Sequence, residues 1–106
     1  MATFEFTDGR TLPIQFRLML DSASAPLDGK TVELILRDRN GVLIDTGGDV
    51  TVVTPADGLV SYAPDRGDIA AARSPYKARF KATDALGQVV HFPEGKLPDI
   101  WEVGAV

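Results

Sequence analysis

The chain has no cysteine and a single histidine, His91. The first absence removes disulfides, thiolate zinc sites and thiol nucleophiles together. The second removes any multi-histidine metal centre. No apolar run approaches the ~20 residues that a bilayer-crossing helix needs. The opening MATFEFTDGR lacks the cationic-then-apolar layout of a secretion leader. The expectation is a protein made in the cytoplasm, with no membrane partner. A basic excess is missing too: 11 Lys and Arg stand against 15 Asp and Glu, a net charge of −4, which argues against a nucleic-acid partner. At 106 residues the chain reads as one domain, residues 1–106, able to bury about two thirds of its unfolded surface without staples.

What the chain does have is alternation. In PIQFRLML, Ile14, Phe16, Leu18 and Leu20 share one face, and Gln15, Arg17 and Met19 the other. In TVELILRD, Val32, Leu34 and Leu36 stand against Glu33, Ile35 and Arg37. In PYKARFKAT, Tyr76, Ala78, Phe80 and Ala82 alternate with Lys77, Arg79 and Lys81. Turn signals separate these runs. Asn40-Gly41 suits the positive φ angles of a tight hairpin and predicts VLID as its return strand. PADG joins DVTVVT to GLVSYA, and DALG joins PYKARFKAT to QVVHFP. TFEFT opens the chain and DIWEV closes it. Only DRGDIAAARS has helical character, one turn with Asp65 as its cap and Pro75 as its stop.

Short strands with turns at roughly ten-residue intervals predict an all-β fold, an antiparallel immunoglobulin-like β-sandwich of seven to eight strands with one short helical turn. A lone sheet would leave its apolar face wet, so two sheets must close on each other.

Few constellations carry chemistry. The cationic row Lys77, Arg79, Lys81, with Arg73 upstream, is a candidate contact for an acidic partner; the plainer reading is a solvated face paired across strands to acids such as Glu33. Phe4 and Phe6 in the first strand, and Trp101 and Val103 in the last, are candidate assembly contacts or core. Arg66-Gly67-Asp68 matches a receptor-adhesion tripeptide, but Asp68 also suits the start of a helical turn. Asp45 and Asp49 lack the closely alternating acids of a calcium loop. His91 has no identifiable nucleophile or orienting acid, and Ser22, Ser24, Ser61 and Ser74 stand in no nucleophile elbow. No catalytic, cofactor or metal residue is assigned.

The order of pieces is similar to a family. PLDGKTVELILRDRNG, VVTPADGLVSYAP with its Gly-x-Val-x-Tyr core, GDIAAARSPYKARFKATDALGQVVHFP and PDIWEV together resemble the immunoglobulin-like domain at the N-terminus of phage baseplate upper proteins and of related small tailed-phage structural proteins. These are packing and turn residues, so the resemblance speaks to fold and lineage. It implies a non-enzymatic structural protein of a tailed-phage virion, in the baseplate or tail or on the head. It further implies many copies or a homo-oligomer, other virion proteins as partners and no cofactor. TFEFT and DIWEV are the expected docking edges. The alternative is a carbohydrate- or host-surface-binding sandwich, for which Trp101, Tyr62 and Tyr76 are the available aromatics.

Overall fold

Period-two alternation gives each long strand a greasy face and a wetted one, and the greasy faces meet. The computed structural model describes residues 2–20 and 23–106, so Ser22 lies outside the described residues. Among these, ten strands follow in order: β1 (Thr3–Thr7), β2 (Ile14–Arg17), β3 (Met19–Leu20), β4 (Ala23–Ser24), β5 (Thr31–Arg37), β6 (Asp49–Thr54), β7 (Leu59–Ala63), β8 (Tyr76–Thr83), β9 (Val89–Phe92) and β10 (Asp99–Gly104). One sheet has the order β1–β10–β8–β5, with β9 also on β8; the second is β2–β7–β6; β3 and β4 form a two-residue ribbon. Three strands facing a sheet built on β5, β8 and β10 is the expected immunoglobulin-like sandwich.

Two features differ from the expectation. The extra strands are the small ribbon, whose β3 is cut from the end of the predicted PIQFRLML strand. QVVHFP and DIWEV, expected as separate strands, share one partner, β10 pairing with Tyr76–Ala78 and β9 with Phe80–Thr83 of β8. The sandwich is also not wholly antiparallel, because β1 runs parallel to β10 from Thr3↔Ile100 to Thr7↔Gly104.

The turns hold their places for visible reasons. Gly58 ends the Pro55–Asp57 3₁₀ turn between β6 and β7 at φ 69°, and a Cβ there would sit 2.6 Å from the Ala25 carbonyl oxygen, so only glycine fits. Between β8 and β9 the Asp84 carboxylate accepts the Leu86 and Gln88 amides, each at 2.9 Å. The Asn40-Gly41 turn begins as predicted, with Asp38 N–H donating to the Val42 carbonyl at 3.0 Å. Its return strand shrinks to a single bridge, Arg37↔Leu43. After Ile44 the chain leaves for the other sheet, where β6 pairs with β7.

The predicted helical turn is likewise shorter. A 3₁₀ turn covers Ala71–Arg73, preceded by Ala70 without any side-chain cap, so Asp65 does not cap it. What fixes this corner is Tyr76, fully buried at the start of β8. Its hydroxyl accepts the Ala70 N–H at 3.0 Å and donates to the Ala70 carbonyl at 3.3 Å. That is a tyrosine corner, the brace of immunoglobulin-like sandwiches. Tyr76→Phe keeps the ring and orphans both backbone groups, and is expected to cost about 1–3 kcal/mol in urea unfolding. An unchanged midpoint would refute the brace.

Candidate docking cleft

Trp101 is the centre of the core at 1% exposure, stacked on Phe16 with centroids 5.4 Å apart and planes 2° apart. Phe6 meets it edge-on at 5.2 Å, and Phe4 meets Phe16 the same way at 5.3 Å. Val103 is buried beside them. The structure therefore places Trp101 and Val103 in the core rather than on an assembly surface, and turns the rings of Phe4 and Phe6 inward against it. DIWEV is not an edge either: β10 lies between β1 and β8, because β1 closes over it by parallel pairing that no local turn signals. TFEFT, as β1, is an edge.

The cationic row lies on the outward face of β8, with Lys77 exposed and Arg79 and Lys81 half-buried. Lys81 stands opposite Glu33 and Lys77 opposite Arg37. Arg79 is engaged in structure: its guanidinium donates to the Pro93 and Gly95 carbonyls at 2.6 and 2.7 Å, clamping the link from β9 to β10. Arg73 is exposed at the end of its 3₁₀ turn. His91 sits across from Lys81 with no nucleophile placed beside it.

The adhesion reading of Arg66-Gly67-Asp68 fails on geometry. Asp68 is 6% exposed. Its carboxylate accepts the Tyr62 hydroxyl at 2.7 Å and the amides of Gly47, Gly48 and Asp65 at 2.9 Å each. Burial pushes its pKa upward, but the Asp65, Gly47 and Gly48 amides and the Tyr62 hydroxyl outweigh that and hold it below the ordinary carboxylate value. Burial first, and Asp68 second, drive the Tyr62 phenol far upward. This is a structural knot that ties the loops before β6 and after β7, not a reactive site. Among the described residues no group of three His, Asp or Glu is close enough to share a metal ion.

The most apolar concavity among the described residues opens where the two sheets part, between edge strands β1 and β2. It is a cleft of about 430 Å³ walled by Phe4, Phe16, Leu18, Met19, Phe80 and Phe92, with Gln15, Arg17 and Asp99 beside them. Asp99 is already engaged by the Ala2 amide at 2.8 Å. The outer sides of β1 and β2 pair with no other strand among the described residues. In an immunoglobulin-like sandwich a first strand commonly pairs beside the second. Here β1 has joined the opposite sheet, so the position beside β2 is vacant above an apolar trough. Sequence pattern gave no sign of this, because the four residues of β2 look the same whether one side or both are paired. Comparison with protein-family models, with curated proteins and with solved structures gives no match.

Proposed function

We propose that this protein is a non-enzymatic assembly module that docks on other subunits by accepting an extended segment of a partner beside β2, with an apolar side chain seated in the cleft. The observation that carries this is the vacant strand position over the Phe4–Phe16–Phe92 trough. Strand addition draws affinity from backbone pairing and specificity from alternate side chains entering a pocket, and both elements are present. The resemblance to phage baseplate domains supplies the setting, a tailed-phage virion in which the protein is present in many copies. The carbohydrate reading has less behind it. Trp101, Tyr62 and Tyr76 are all buried and offer no aromatic platform for a sugar.

The test is occupancy of the particle. Purified virions should contain the protein in a fixed stoichiometric ratio to their other structural proteins. Met19 is 46% exposed at the cleft wall. Met19→Arg is expected to leave unfolding unchanged while lowering incorporation by about tenfold or more, because a cation in the cleft wall opposes the seating of an apolar side chain there. Absence of the unmodified protein from particles overturns the setting, and normal incorporation of Met19→Arg overturns the cleft.

A further inference from the structure

The outward face of the β1–β10–β8–β5 sheet carries an electrostatic oddity. Like charges directly across a strand pair destabilise a sheet, and opposite charges stabilise it. One row obeys, with Glu33 opposite Lys81. Two do not. Glu5 lies beside Glu102 in the β1–β10 pairing, and Arg37 lies opposite Lys77 in the β5–β8 pairing. All four side chains are exposed. The charge is thus sorted into an acidic pair at one side of the face and a basic pair at the other.

Between the pairs sits Ile100, one position along the row from Lys77 and two residues before Glu102 on β10. It points outward and is half-buried. Beside the acidic pair the surface dips into a hollow of about 460 Å³ lined by Glu5 and Glu102 together with Phe6, Ser74, Pro75 and Val103.

We infer that this face binds a second copy of the same chain about a two-fold axis through Ile100. The rotation lays Lys77 and Arg37 of each copy over Glu5 and Glu102 of the other, and brings the two Ile100 side chains together. Both mismatched pairs are then answered, and the contact is self-complementary, as two-fold closure requires. Four strands spaced at about 4.8 Å make a face of several hundred Å², at the lower end of specific contacts, which bury about 800 Å² per partner. The dimer is accordingly weak and salt-sensitive. This deepens the assembly reading by naming one partner, and it uses a face away from the cleft.

Sedimentation of the full chain tests it. A monomer–dimer equilibrium is expected at about 50 mM salt, shifting toward monomer at about 500 mM as the pairs are screened. The double variants Glu5→Lys/Glu102→Lys and Arg37→Glu/Lys77→Glu should each be monomeric, with affinity down by at least about tenfold. Mixed together they should dimerise again, because lysines then meet glutamates at one end and native pairs meet at the other. Far-UV circular dichroism checks that both variants are folded. A monomer at every salt concentration overturns the inference and leaves the basic pair to an acidic partner. Open-ended oligomers overturn the two-fold form, and failure of the mixed variants to associate overturns the pairing. None of these results touches particle incorporation through Met19, so the two readings fail separately.

Discussion

Asp68→Ala is expected to leave the protein largely unfolded in mild denaturant. One carboxylate satisfies three backbone N–H groups and the buried Tyr62 hydroxyl. Each buried polar group left without a partner costs about 1–3 kcal/mol. Allowing water to reach the more exposed amides, the loss comes to about 4 kcal/mol, against a total of about 5–15 kcal/mol for a domain of this kind. Asp68→Asn keeps one acceptor oxygen but turns an NH₂ group toward other donors, so it should fall between alanine and the parent. Trp101 is the only tryptophan and lies in the core, so its emission reports the unfolding directly. A loss under about 1 kcal/mol for the alanine variant would show that the loops hold themselves without the carboxylate.

The same knot sets the pH response. Asp68 titrates lower when folded than when unfolded, so the stability it provides is fully present above the unfolded value of about 4 and drains as the pH falls through the folded one. Tyr62 is the mirror case. Its folded pKa lies above the unfolded value of about 10, so its share is present below pH 10 and is lost as the pH climbs beyond it. Asp68→Asn should flatten the acid limb of a stability–pH curve, and Tyr62→Phe should blunt the alkaline one.

How far such features could be read from residues alone depends on their range. The alternation of Tyr76, Ala78, Phe80 and Ala82 with cations was decisive, because period two admits only a half-buried strand and the buried set follows from it. PADG and DALG gave their hairpins because a two-strand turn is a local affair. The parallel pairing of β1 with β10 spans nearly the whole chain and has no local signature, so DIWEV read as an edge when it is interior. Asp68 hid for a related reason. Its partners Gly47 and Gly48 are some twenty residues upstream, and a carboxylate in a Gly-Asp loop looks solvent-bound until those amides close on it. The cleft was least legible of all, being a vacancy between two strands that separately look ordinary.

Trp101→Ala should cost about 3–5 kcal/mol, the usual penalty for emptying a large aromatic from a core, and the position in the sandwich argues for the upper end. Trp101 belongs to one sheet and Phe16, on which it stacks, to the other. Removing it breaks a bond between layers, along with its edge contact to Phe6 and its tilted contact with Tyr62 at 6.0 Å. Each such aromatic pair is worth about 0.5–1.5 kcal/mol beyond the area it buries. Trp101→Phe keeps part of the stack and should retain the fold at a smaller cost. Phe16, however, also walls the cleft, and Phe4 leans on it from across the opening. A smaller ring at 101 lets Phe16 settle inward and leaves the trough too deep to touch the side chain it seats, so Trp101→Phe is expected to weaken docking of a partner strand while the protein remains folded. Urea unfolding and particle incorporation measured on the same variant separate the two effects. Parent-like incorporation of a destabilised Trp101→Phe would mean that the wall of the cleft is held by something other than the stack beneath it.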